Sequence, residues 1–202
     1  MTVDLTPGFY DVPPGMVAAV VTYLEMTARP PLRPAPDLAG IALEPLPDIT
    51  SARYRDLFER VGAQDWLWFS RMAMSDEKLS AILNAPDVEV FTLAKDGVSQ
   101  ALLELDFRVE GACELAFFGV APALIGTGAG RVLMNHAIEL AWARPIRCLH
   151  VHTCTLDHPG ALAFYQRSGF VPLRQQIEIA PDPRLTGVLP ETAGPHVPMF
   201  RP

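Results

Sequence analysis

The stretch VAPALIGTGAGRVLMNHA, Val120 to Ala137, offers its chemistry through bare backbone. It places Gly126, Gly128 and Gly130 within five residues and then becomes an apolar, helix-favouring run. A glycine inside a helix costs up to about 1 kcal/mol relative to alanine, so three of them need a compensating use. Strand, glycine loop and helix together make an anion site. The first amides of a helix lack intrahelical acceptors, the helix dipole favours negative charge, and glycines let a phosphate approach. From the glycines alone, a tight strand-to-helix turn without a ligand stands as the alternative.

Two nucleotide signatures do not fit. GTGAG is not GxGxxG, and where a ribose-binding acid belongs the chain has Arg147, Cys148, Leu149 and His150. The GK[ST] of a phosphate-binding P-loop is also missing. Further on comes ALAFYQRSGF, Ala161 to Phe170. With both motifs in place, the chain resembles the GNAT superfamily of N-acetyltransferases. Val120, Pro122, Gly126, Gly128, Gly130 and Leu133 fit its acetyl-CoA motif V-x-P-x-x-R/Q-G-x-G-x-G/A-x-x-L. Ala161, Tyr165, Gly169 and Phe170 fit its downstream A-x-x-x-Y-x-x-x-G-F. The likeness runs from roughly Val88 to Ile179.

The resemblance implies acetyl-CoA as the acetyl donor. Its pyrophosphate would lie on the amides of Ile125, Gly126, Thr127, Gly128, Ala129, Gly130 and Arg131. Its pantetheine would pair with the strand ending at Phe118 and Val120. Two positions depart from the family: Ile125 stands where Arg or Gln is usual, and His158 where Asn is usual. The first removes a side-chain donor near the phosphates, and neither removes the backbone cradle.

Acetyl transfer to an amine needs the neutral amine, yet alkylamines of pKa about 10.4 are protonated at neutral pH. A base must take that proton, and an acid must meet the leaving thiolate. Glu114 matches the base glutamate of some family members, and Leu115, Phe117 and Phe118 beside it are expected to raise its pKa. Glu104 and Asp106 on the preceding strand are rivals acting through water. Tyr165 matches the family's general acid. The plain alternatives are a solvent-facing charge at Glu114 and a packed aromatic at Tyr165. His150 and His152 alternate with Leu149 and Val151 and share a sheet face; with Cys154 and His158 they lack metal-ligand spacing, so no metal site is expected. No Ser or Cys is paired with a base, which favours direct transfer over an acetyl-enzyme. WLWF, Trp66 to Phe69, is expected to pack on the sheet or, by the resemblance, to wall the acceptor site.

The elements that must hold these groups follow from periodicity and breakers. Ile41–Leu46 reads as a strand and Ser51–Val61 as a helix with Tyr54, Leu57, Phe58 and Val61 on one face. Ser75 caps a second helix. VEVFTLA and SQALLELDFR form a hairpin around Lys95-Asp96-Gly97, and CELAFFGV is a further strand. After the glycine loop come a helix to Trp142, the strand CLHVHTCT, a helix ending at Gly169 and the strand FVPLRQQIEIA. The order predicts an α/β (α+β) fold with one mixed sheet, the GNAT acyltransferase fold by resemblance, over residues 37–180. MVAAVVTYLEM, preceded by Pro13 and Pro14, reads as a helix apolar nearly all round. Residues 1–36 are thus expected to be an N-terminal helical arm with the Pro-rich linker RPPLRPAP, and 181–202 a Pro-rich tail wrapping the surface.

A chain of 202 residues that is 50% hydrophobic can bury a sizeable core, and its net charge of −7 argues against nucleic acid as a partner. Three cysteines without a CxxC pair read as free thiols in a reducing compartment. The start MTVDLTPGFYD has no basic leader region, and GMVAAVVTYL is shorter than the roughly 20 residues of a membrane span. The expectation is a cytoplasmic N-acetyltransferase moving acetyl directly to a primary amine of a small molecule or peptide. The apolar arm must bury against the body of the domain or a partner, and a homodimer is the expectation, with packing on its own domain as the alternative. The competing expectation is a catalytically idle acyl-CoA-binding or interaction module on the same fold.

Overall fold

A computed structural model describes residues 6–202. Met1–Leu5, part of the stretch read for a leader, lie outside the described residues. The strands, in chain order, are β1 (Met16–Met26), β2 (Ile41–Pro45), β3 (Val88–Lys95), β4 (Val98–Ser99), β5 (Ala101–Asp106), β6 (Ala112–Val120), β7 (Cys148–Cys154) and β8 (Val171–Pro181). The helices are α1 (Ser51–Arg60), α2 (Asp76–Leu83), α3 (Ala129–Ala143) and α4 (Ala161–Arg167). All strands join one mixed sheet in the order β2-β3-β5-β6-β7-β1-β8, with β4 closing a short hairpin on β3.

Each helix begins and faces as its sequence dictates. Thr50 caps α1 and Ser75 caps α2, each side chain accepting an amide three residues on at 3.3 Å. Tyr54, Leu57 and Phe58 of α1 and Leu79 and Leu83 of α2 pack with Val90 and Leu102 on one face of the sheet. On the other face, Leu133, Met134, Ala137, Ile138 and Ala141 of α3 cover Leu103, Leu105, Cys113, Leu115, Leu149 and Val151. Covered on both sides, β5 is buried along its whole length.

The N-terminal segment overturns the expected helical arm. Met16–Met26 is a strand, paired antiparallel with β7 from Val21 to Met26 and with β8 from Met16 to Glu25. An apolar run of this length satisfies a central strand as well as a buried helix, and its β-branched Val17, Val20, Val21 and Thr22 favour the strand. The segment is therefore part of the domain's sheet. Within the chain Val17, Ala19, Val21, Leu24 and Met26 are buried, while Val20 stays exposed.

The tail does wrap the surface, and it is anchored. Arg184, buried, pairs with Asp182 (Nη2–Oδ2, 2.7 Å) and donates to the carbonyls of Ala193, Gly194 and Val197. Leu189 and Ala193 pack with Leu67, Leu156, Val17 and Ala19.

The site depends most on how β6 meets β7. They are parallel neighbours, and they pair only from Ala112↔Cys148 to Glu114↔His150. Beyond Glu114 the strands part, while the other edge of β6 stays bonded to β5 as far as Val120, with a bulge between Leu115 and Phe117. The splay opens the sheet above the glycine loop.

Candidate active site

A cleft of about 990 Å³ fills this splay. Leu115 to Val120 form one wall, Val151, His152 and Cys154 the other, the glycine loop one end and the Trp66–Ser70 segment a flank. Beyond Glu114 the β7-facing edge of β6 has no partner strand among the described residues, so its backbone groups at Phe118 and Val120 are open to an extended ligand.

The glycine loop answers the question its composition raised. After the short turn Pro122–Leu124, the Ile125 amide donates to Pro122 O and the Thr127 amide to Leu124 O. The Ala129 amide is taken by the Thr127 hydroxyl at 3.3 Å. The Arg131 and Val132 amides both turn to Gly128 O. The amides of Gly126, Gly128 and Gly130 have no acceptor among the described residues. Gly126 and Gly128 sit at φ 81° and 92°, the left-handed region that side chains avoid. The unpaired amides stand at the start of α3, where its dipole adds positive potential. This donor set fits a pyrophosphate. Of the seven loop amides expected to hold it, Ile125, Thr127, Ala129 and Arg131 are engaged within the loop itself.

Tyr165 lines the cleft from α4, packed edge-on against Phe118, Phe164 and Phe170. Burial, reinforced by the negative charge of Asp157, pushes its phenol well above the usual tyrosine range, so it keeps its proton. Its hydroxyl has no hydrogen-bond partner among the described residues. His158 also lines the cleft, with Nδ1 accepting the Gly160 amide at 2.9 Å and its ring edge-on to Trp66.

The three carboxylates separate sharply. Glu104 is fully buried and accepts from the Tyr54 hydroxyl and the Arg71 guanidinium, which also lies 4.9 Å over the Phe117 ring. Asp106 is held by Arg108 (Nε to both oxygens at 2.9–3.0 Å), which keeps its carboxyl below the usual range against the cost of burial. Glu114 is half-exposed, with Oε1 3.4 Å from His152 Nδ1. The expected upward shift at Glu114 is reversed. Its contact with the His152 imidazole outweighs burial and lowers the carboxyl, and the same contact raises the imidazole, with Asp157 and Glu178 adding to that rise. Of the pair, His152 lines the cleft and Glu114 stands behind it.

Sequence reasoning passed over His152. Its signal was the parallel register that sets β7 beside β6, which spacing alone does not give. It also left undecided the Trp66–Phe69 segment, which packs and lines at once. Trp68 Nε1 donates to Asp157 at 2.7 Å across the mouth of the cleft, and the Asp157 carboxylate also accepts from Thr153 and the Cys154 amide. The Cys154 thiol, in the cleft wall, is pushed up to about 11 by burial and so stays protonated at neutral pH.

These features recur in known proteins. A sequence profile of the Acetyltransferase (GNAT) family matches residues 48–170. No curated protein matches the chain by sequence. Among solved structures, the chain is similar to a GCN5-related N-acetyltransferase from Sphaerobacter thermophilus, at 15% identity over 81% of this chain and 51% of that one, with a TM-score of 0.57. Similarity to a GCN5-related N-acetyltransferase from Kribbella flavida covers 86% of this chain and 63% of that one at 19% identity, TM-score 0.54. A GNAT family acetyltransferase from Elizabethkingia anophelis with acetyl-CoA bound matches at 20% identity over 68% and 80% of the two chains, TM-score 0.52. The present chain thus spans about half to two thirds of the length of the first two structures. No helix among the described residues is long and apolar enough to cross a membrane. With the profile spanning more than half of its residues and the glycine loop, splayed strands and cleft tyrosine in one sheet, the chain belongs to the GNAT family of acetyltransferases.

Proposed function

We propose that this chain is an acetyl-CoA-dependent N-acetyltransferase that moves the acetyl group directly to a primary amine carried on an apolar body. One observation supports it above the others: the unpaired amides of Gly126, Gly128 and Gly130 open into the same cleft as Tyr165 and His152. When bound, acetyl-CoA supplies an acetyl group already activated as a thioester. The free edge of β6 orients the donor, and the glycine amides hold its phosphates. His152, backed by Glu114, takes the proton from the attacking amine nitrogen as the C–N bond forms. Tyr165 gives its proton to the sulfur as the C–S bond breaks. The protonated Cys154 thiol is a poor nucleophile, which favours direct transfer. The acceptor end is lined by Trp66, Trp68, Phe69 and Leu156 with the Glu178 carboxylate, a surface suited to a cationic amine with apolar neighbours.

The test is thiol release from acetyl-CoA against a panel of amines, using the wild type and Tyr165→Phe. The variant keeps the ring and breaks no hydrogen bond within the protein, so its melting temperature is expected to stay the same. Losing a positioned acid is expected to lower kcat by about 10²–10⁴-fold with little change in coenzyme affinity. Coenzyme A binding without turnover of any amine would favour an idle binding module, and near-normal turnover by Tyr165→Phe would make Tyr165 a packing residue.

A further inference from the structure

The linker RPPLRPAP, Arg29 to Pro36, reaches the cofactor end of the cleft. It leaves β1 and crosses the sheet's end to lie against the start of α3. Two hydrogen bonds hold it there: the Asn135 side-chain amide donates to Arg33 O at 2.8 Å, and the Arg131 guanidinium donates to Pro34 O at 2.9 Å. Pro36 packs so closely that a Cβ on Gly128 would stand 2.5 Å from its Cγ. Gly128 is thus glycine for two reasons, its φ of 92° and the linker above it. Residues 33–36 line the cleft together with Gly126, Gly128 and Gly130, so the linker forms a wall of the cradle.

Arg33 is the linker residue with chemistry to offer. It is half-buried, lines the cleft, and its guanidinium has no ion-pair or hydrogen-bond partner among the described residues. A free cation lining the same cleft as three unpaired amides, in a chain of net charge −7, matches a phosphate. The loop position that would carry a side-chain donor is Ile125, exposed and unable to provide one.

We propose that Arg33, held on α3 by Asn135 and Arg131, supplies the side-chain cation of the coenzyme phosphate site. The linker is then part of the binding site, and β1 fixes where it begins. The inference rests on the acetyl-CoA reading above. Arginine carries the role better than lysine because its planar fork reaches two phosphate oxygens at once.

The test is calorimetric titration of the full chain with coenzyme A and with phosphate-free pantetheine, for wild type, Arg33→Ala and Arg33→Lys. Arg33→Ala is expected to weaken coenzyme A binding roughly tenfold, with a shallower dependence on salt, since a charge-assisted bond to phosphate is lost. Arg33→Lys should fall between. Pantetheine binding and melting temperature should not change, because the linker is held through the backbone carbonyl of residue 33. Unchanged coenzyme A affinity in Arg33→Ala would overturn the assignment. So would tighter binding, which would make the linker a strap over the amides, or an equal loss for pantetheine, which would mean local collapse. A wild type that binds no coenzyme A would refute the acetyl-CoA reading itself.

Discussion

Glu104 and Glu114 sit on neighbouring strands and face the same side of one sheet, yet they have opposite surroundings. Glu104 lies under α1 and the Trp66–Met74 segment, without solvent access, its two oxygens taken by Tyr54 and Arg71. Glu114 lies past the edge of that cover, half-exposed, with a single imidazole partner. The first is a tie between helix, loop and sheet. The second can exchange a proton with what enters the cleft through His152. Identical side chains are divided by where α1 and the Trp66–Met74 segment stop.

The contrast also separates the energetics. A buried ion pair adds little net stability over an apolar pair, because desolvation cancels the attraction, but removing one partner strands the other charge. An exposed pair is screened and adds at most about 1 kcal/mol. Glu104 should therefore report on folding and Glu114 on catalysis.

The largest effect is expected where the buried tie is cut. Arg71→Ala leaves the Glu104 carboxylate in the core with only Tyr54 to satisfy it and removes the cation over Phe117. A loss of about 3–5 kcal/mol is expected, or a fall in melting temperature of roughly 10 °C for a domain of this size. Thermal unfolding measures it directly. A shift within a degree or two would mean that the tie is not what holds the Trp66–Met74 segment down, and the contrast with Glu114 would dissolve.

What the sequence disclosed tracks how local each feature is. The glycine loop, the helix carrying Tyr165 and the cap at Ser75 are read from residues within a turn or two of one another, and the structure keeps them. Met16–Met26 was misread because a mostly apolar run of eleven residues satisfies a central strand and a buried helix equally; what decides is the gap between β7 and β8, some 130 residues away in the chain. The direction of the Glu114 shift went wrong for a related reason. Its apolar neighbours are visible in sequence, but the imidazole that outweighs them arrives through the parallel β6–β7 register. The approach of Arg33 to Gly128 is longer-range still.

A middle-sized effect is expected at the exposed member of the comparison. His152→Gln keeps a polar group of similar size but removes the base. Turnover with the best amine should fall by about 10²-fold or more, close to 2.7 kcal/mol at the barrier, with melting temperature nearly unchanged. In the wild type, kcat/KM should rise with pH through a pKa above the ordinary histidine value, since His152 must be neutral to act and Glu114 holds it charged to higher pH. The variant should lose that rise. A His152→Gln enzyme with the wild-type profile would return the base role to Glu114.

The smallest and most discriminating change is Glu114→Gln. It removes the carboxylate contact and charge that do most to raise the imidazole, leaving burial, which lowers it, against the weaker pull of Asp157 and Glu178. The rise of kcat/KM should persist and move to lower pH, with a rate loss of about tenfold or less because the base remains but is weaker and less well held. If Glu114 were itself the base, the rise would vanish in Glu114→Gln. The stability signs agree with this division. The raised His152 contributes fully below about pH 6.5 and is lost as pH climbs through its folded pKa. The lowered Glu114 contributes above its ordinary carboxylate range and is lost as pH falls through its depressed one. The wild type should therefore be stabilised by this pair only in the window between those two pKa values, and Glu114→Gln should flatten that window in melting temperature against pH. Arg71→Ala, by contrast, should lower melting temperature at neutral pH by far more than Glu114→Gln does, which ties each glutamate to its own kind of evidence.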